Sequence, residues 1–303
     1  MSDFAIVCPG QGSQFPEMFE LAYADARGRE VLERFSDALS RDLVGRARRG
    51  DDLFGNAYAQ PALVAVASAT WAALAPEVPA PVAFAGYSVG EVSAWSCAGA
   101  WAPEQAAQIV LWRAAFMDRH APPDCGMMAV RGVLLEQMQA CPDVFIAIVN
   151  DTDHAVLAGS RTALLHAGQV LERAGAWTRL LEVHVPSHTP LLLAAAEAFG
   201  SALATMPLHR LQVPVLRGLD GNRCWDQPAC LEALSRAVAE PIRWVDCMHG
   251  LVESGARVVL ELGPGRSLAK LCNDSGLPLK ARSINDFRSF GAAVDWLHRQ
   301  LED

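Results

Sequence analysis

Residues 86 to 91 read Gly-Tyr-Ser-Val-Gly-Glu, between a short apolar run and a helix-forming one. In the pattern G-x-S-x-G, a sharp strand-to-helix turn pushes one hydroxyl clear of the backbone. Glycines suit such a turn because side chains there would crowd it and block an incoming acyl group. On this reading Ser88 is a nucleophile that becomes acylated. The same pattern also arises in ordinary turns, so the chemistry depends on what else reaches Ser88.

A serine hydroxyl needs a base. Of eight histidines, His188 stands out within Val185-Pro186-Ser187-His188-Thr189-Pro190, where two prolines fix the backbone on either side. His184 is the rival, but it lies in strand-like alternation before that turn, where a packed or surface histidine is ordinary. A tetrahedral oxyanion needs fixed N–H donors. Val89, next to the nucleophile, supplies one at the positive end of the following helix. A second is expected from a loop such as Pro9-Gly10-Gln11-Gly12-Ser13-Gln14, whose glycines permit close approach; a plain turn is the alternative. This loop is no dinucleotide fingerprint, because Phe15 stands where the third glycine belongs. Arg113 lies in the apolar stretch Leu111-Trp112-Arg113-Ala114-Ala115-Phe116, where a guanidinium is costly unless paired. Its planar fork matches a carboxylate bidentately. It is therefore either a structural ion pair or the holder of an acyl group with a free carboxylate of its own.

The elements that must position these residues form an α/β pattern. Phe4–Cys8 reads as a buried strand ended by Pro9-Gly10, and Val82–Ala85 as the strand that feeds the Ser88 turn. Residues 16–50 read as broken helix, Ala57–Ala75 as a helix packed on a sheet, and Val89–Ala98 and Pro103–Arg119 as further helices. The texture then changes. Strands at Met127–Val130, Val144–Val149, Ala155–Ala158 and Thr178–Val183 alternate with helices at Leu134–Ala140 and Thr162–Ala174. That β-α-β-β-α-β order predicts a ferredoxin-like subdomain over residues 126–186. It interrupts a large domain with a parallel sheet, residues 1–125 and 187–303, which resumes with strands at Val213–Leu216, Val258–Glu261 and Lys280–Ser283.

The 303 residues suffice for such a domain with an insertion. Hydrophobic residues make up 51% and charged ones 19%, which fits a packed globule rather than a disordered chain. A net charge of -9 argues against nucleic acid as a partner. It does not exclude an acidic protein, for which Arg41, Arg46, Arg48 and Arg49 form a local cluster, unless they are simply a solvated helix face. No apolar stretch is expected to be long enough to cross a bilayer, and the N-terminus lacks the basic segment of a secretory signal. The eight cysteines show neither C-x-x-C nor zinc spacing, and several lie in apolar surroundings where a reduced cysteine acts as a small hydrophobe. These features together predict a cytoplasmic protein without a metal centre or membrane contact.

Several ordered motifs carry a family resemblance over nearly the whole chain: Gly10-Gln11-Gly12-Ser13-Gln14, Gly86-Tyr87-Ser88-Val89-Gly90-Glu91, Arg113, Pro186-Ser187-His188-Thr189-Pro190, Glu240-Pro241-Ile242-Arg243-Trp244 and Glu261-Leu262-Gly263-Pro264-Gly265. The chain resembles the malonyl-CoA:acyl carrier protein transacylases and the acyltransferase domains of polyketide and fatty-acid synthases. The resemblance implies an α/β-hydrolase-like domain with an inserted ferredoxin-like subdomain. It implies Ser88 as nucleophile, His188 as base, the N–H groups of Gln11 and Val89 as oxyanion hole, and Arg113 on the malonyl carboxylate. A backbone carbonyl near Ala237 would orient the histidine. Malonyl-CoA would be the substrate and an acyl carrier protein the acceptor, with no permanently bound cofactor.

The clearest departure is Tyr87, where most relatives have histidine, and it bears on the shape of the acyl pocket. The tyrosine resembles the transacylase subunit of bacterial malonate decarboxylase, whose other subunits would then be partners. The alternatives are a stand-alone malonyltransferase of fatty-acid or polyketide synthesis, or a thioesterase or esterase using the same serine.

Overall fold

The structure, a computed structural model, describes residues 3–302; Met1, Ser2 and Asp303, the ends of the predicted large domain, lie outside them. Eleven strands in the described residues form two sheets. The first runs β11-β10-β1-β2-β7-β8, built from β1 (Phe4–Cys8), β2 (Phe84–Gly86), β7 (Val215–Leu216), β8 (Arg223–Cys224), β10 (Val258–Glu261) and β11 (Lys280–Ser283). Its pairings are parallel except β7 with β8. Every residue of β1 and β10 is buried, as a parallel strand covered on both faces requires.

One covering element is the helix Asn56–Leu74, which is buried almost all round. With the turn that follows, its stretch Asn56–Glu77 spans 22 residues at mean hydropathy 1.2. That corrects the expectation that no apolar stretch reaches bilayer length. The apolar window is 83% buried within the protein, so the composition reflects a core helix enclosed by other elements.

The second sheet runs β6-β3-β5-β4-β9. Its members are β3 (Cys125–Arg131), β4 (Val144–Asp151), β5 (His154–Ser160), β6 (Trp177–Leu180) and β9 (Ile242–Arg243). The first four are antiparallel and are backed by the helix Arg161–Arg173, which buries Leu164, Ala167, Gly168 and Leu171 at helical spacing. The predicted strand to Val183 stops at Leu180, and beyond it Leu181 and Val183 line a cavity. β9 comes from the far side of the insertion. It pairs parallel with β4, Ile148 beside Ile242 and Val149 beside Arg243, so the sheet takes in chain beyond residue 186.

Cys224 and Cys230 form a disulfide, with Cα atoms 5.8 Å apart. The sequence reading treats several cysteines as reduced and proposes no bridge, so this pairing is an addition to it. The chain turns back between β8 and the helix Pro228–Arg236, bringing two cysteines six residues apart within bridging distance. The arginine cluster proves to be a paired helix face. Arg48 binds Glu20, Arg49 binds Asp51, Arg46 binds Asp52 and lies over the Tyr58 ring, and Arg41 binds the Ala57 carbonyl.

Candidate active site

β2 ends at Gly86, and the helix Gly90–Cys97 begins after three intervening residues. Between them Ser88 sits at φ 57°, a left-handed conformation that costs a non-glycine residue free energy and marks a built feature. Close packing holds the turn. A Cβ on Gly86 would lie 2.0 Å from the Gly90 carbonyl, and one on Gly90 would lie 2.1 Å from the Cys8 carbonyl. The Tyr87 N–H donates to Cys8 O at 2.9 Å, which stitches the turn to β1.

His188 also has a positive φ, 64°, between its two prolines. Thr189 Oγ1 donates to Pro186 O at 2.7 Å and closes this turn. The His188 N–H donates to Val238 O at 2.9 Å, and its ring Nδ1 hydrogen-bonds the Ala237 carbonyl. A carbonyl only accepts, so Nδ1 carries the proton and Nε2 presents its lone pair. That lone pair faces Ser88 Oγ at 2.8 Å. Burial, then the nearby Arg113 charge, depresses the imidazole to about 3, with the Ala237 carbonyl partly offsetting them. The resting imidazole is therefore neutral. His184, the rival, is exposed on the wall of a neighbouring cleft and has no hydrogen bond to Ser88.

Arg113 projects from the helix Pro103–His120 and is 2% exposed. Its Nη2 reaches Ser88 Oγ at 3.4 Å and its Nη1 donates to Gln60 Oε1 at 2.6 Å. Among the described residues it forms no ion pair, so the structural salt bridge left open by the sequence is absent there. Burial lowers the guanidinium to about 10, partly countered by Glu91, and it stays charged at neutral pH. Glu91 follows Ser88 by one helical turn. Its Oε2 accepts the Gly218 N–H at 3.2 Å, and burial raises its carboxyl to about 7. Neither Gln60 nor Glu91 carries a role in the sequence reading. The signal for Gln60 is a polar side chain inside an otherwise apolar helix.

Gln11, Tyr87, Ser88, Ser187 and His188 line a cavity of about 50 Å³, closed on the other side by Met127, Ile148, Val156, Leu181 and Val183. One wall is thus the large sheet and its turns; the other belongs mostly to the second sheet. The Tyr87 ring meets Trp244 edge-on at 5.5 Å, and burial pushes its phenol up. Among the described residues, the N–H groups of Gln11 and Val89 have no protein acceptor. The Gln11 loop is pinned from behind, where Gln14 accepts the Gly12 N–H at 2.6 Å and donates to Leu53 O at 3.1 Å. No cluster of metal-ligating side chains occurs among the described residues. A neutral imidazole and a strained hydroxyl on one small cavity, with a buried cation 3.4 Å from that hydroxyl, can activate an alcohol toward an acyl group that bears an anion.

Residues 5–283 match the model of the acyl transferase domain. The chain is 33% identical to the malonyl CoA-acyl carrier protein transacylase of Haemophilus influenzae, over 98% of this chain and all of that one. Its structure is similar to the crystal structure of the malonyl-CoA:acyl carrier protein transacylase from Xanthomonas oryzae pv. oryzae, with TM-score 0.92 and 31% identity over 98% of each chain. It is likewise similar to a malonyl-transacylase solved in complex with its type II PKS acyl-carrier protein, with TM-score 0.91 and 32% identity over 97% of this chain and 99% of that one. The chain is an acyltransferase and belongs to the malonyl-CoA:acyl carrier protein transacylase family.

Proposed function

We propose that this protein moves a malonyl group from malonyl-CoA to the phosphopantetheine-type thiol of an acyl carrier protein through a malonyl-serine. The observation that carries the reading is Ser88 Oγ lying between His188 Nε2 at 2.8 Å and Arg113 Nη2 at 3.4 Å. His188 takes the Ser88 proton as the hydroxyl attacks the thioester carbonyl. The N–H groups of Gln11 and Val89 receive the developing oxyanion. His188 then returns its proton to the departing CoA thiolate. In the second half, the carrier thiol gives its proton to His188 and attacks the acyl-serine, and Ser88 leaves with the proton returned. Arg113 pairs with the malonyl carboxylate in both halves. A thioester is broken and a thioester is made, so the transfer needs no ATP, metal or redox cofactor.

The carrier is proposed to be one of fatty-acid or polyketide synthesis, because the full-length relatives are named malonyl CoA-acyl carrier protein transacylases and one was solved with a type II PKS acyl-carrier protein. Both substrates would be met in the cytoplasm. Tyr87 supports a second reading, in which the acceptor is the carrier of malonate decarboxylase. The test offers malonyl-loaded enzyme to each holo carrier and compares transfer rates. Faster transfer to the fatty-acid or polyketide carrier supports the first reading, and preference for the decarboxylase carrier supports the second. Rapid loss of the acyl group to water without any thiol would instead indicate a hydrolase and remove both.

A further inference from the structure

Arg113 is held by a neutral acceptor. Gln60 is fully buried, and its Oε1 takes the Arg113 Nη1 proton at 2.6 Å. A guanidinium has donors and no acceptors, so the amide atom facing it must be the oxygen. The amide nitrogen turns the other way, toward Met117 Sδ at 3.6 Å. Gln60 is itself fixed. Pro61 lacks an N–H and leaves the Ala57 carbonyl without its helical donor, and Arg41 Nη1 fills that place at 2.7 Å. One turn before Gln60, Asn56 Nδ2 donates to Asp118 Oδ1 at 2.8 Å, tying this helix to the one that carries Arg113.

We propose that Gln60 is a positioning residue for acyl selection: its amide oxygen aims the Arg113 guanidinium at the Ser88 side of the pocket while adding no counter-charge of its own. The inference rests on the reading of Arg113 as the holder of the malonyl carboxylate. A carboxylate at position 60 would aim the fork equally well but would neutralise it before substrate arrives. An aliphatic side chain would leave the charge but release its direction. Glutamine satisfies both demands. Among the described residues the buried guanidinium feels Glu91 but has no ion pair, and an acyl group bearing its own carboxylate supplies one.

The experiment measures kcat/KM for malonyl-CoA and acetyl-CoA with the same holo carrier protein, on wild type, Gln60→Glu, Gln60→Leu and Arg113→Ala. Taking the ratio of the two substrates on one preparation cancels any difference in the folded fraction. The malonyl-over-acetyl ratio is expected to fall by about ten-fold or more in both Gln60 variants. Gln60→Glu should fall at least as far as Gln60→Leu, although it preserves shape and hydrogen bond. A Gln60→Glu enzyme that keeps the wild-type ratio would make the role purely geometric and overturn the proposal. An unchanged ratio in Gln60→Leu would overturn it equally. If Arg113→Ala itself leaves the ratio unchanged, the underlying reading of the site falls and this inference falls with it.

Discussion

Ser88 and His188 stand 100 residues apart in sequence, yet Oγ and Nε2 meet at 2.8 Å. Each sits at positive φ, and each is held by backbone contacts from a different part of the chain. For Ser88→Ala the expected outcome is loss of the malonyl adduct after incubation with malonyl-CoA, read by intact-protein mass. His188→Ala should slow adduct formation by roughly 10²–10⁴-fold, the usual contribution of a positioned base. An adduct of undiminished yield in Ser88→Ala would place the nucleophile elsewhere.

Arg113→Ala should lower malonyl transfer relative to acetyl transfer. Removing one partner of a buried charge pair costs roughly 2–5 kcal/mol, or on the order of tens to thousands in preference. Competition between the two thioesters for limiting enzyme, scored by the mass of the acyl-serine, reads this directly. Equal malonyl preference in wild type and variant would contradict the assignment.

Glu261 gives a pH signature in stability. It is buried on β10, its Oε2 accepts the Ala269 N–H at 2.8 Å, and its Oε1 has no partner among the described residues. Burial raises its carboxyl from an ordinary 4.5 to about 7. The folded state thus holds this proton more tightly than the unfolded one. The associated stability is full below pH 4.5 and is lost as pH rises through 7. Glu261→Gln should remove that loss, on the order of 1–3 kcal/mol between pH 4.5 and 8. Thermal melts of both proteins should therefore diverge in the variant's favour as pH rises; parallel curves would show that Glu261 is ionised throughout.

The cysteine bridge is countable. Alkylation of the oxidised, denatured protein should label six of the eight cysteines, and prior reduction should expose all eight. Peptide mapping should locate the protected pair at Cys224 and Cys230. Eight labels without reductant would mean that the bridge is open in the isolated protein.

Local turn chemistry made the Ser88 segment legible, since glycines flanking a serine between strand and helix describe a backbone shape by themselves. The two prolines around His188 marked a rigid junction in the same way. Gln60 was not legible, because a side-chain amide in an alanine-rich helix looks like any buried polar residue until the facing helix is known. Glu91 was visible only as part of a motif, and its contact with Gly218 spans 127 positions. β9 was missed because two residues carry no periodicity; its pairing comes from β4, not from its own composition. The disulfide depends on how one short connection folds back, which cysteine spacing does not encode. Ala57–Ala75 reads as a helix packed on a sheet and the structure has one at Asn56–Leu74, but its enclosure, which explains its apolar character, is a property of its neighbours.

The hydrogen-bonded ladder between β4 and β9 constrains any chimera made from this enzyme. Ile148, which lines the cavity at Ser88, is paired with Ile242, only five positions after the Ala237 carbonyl that hydrogen-bonds the His188 imidazole. Excising or grafting residues 126–186 as a cassette would strip β9 of its neighbour and loosen the segment that orients the base. A specificity swap that transplants the small sheet must carry residues 237–243 with it, or trade a new acyl preference for a misaligned catalyst.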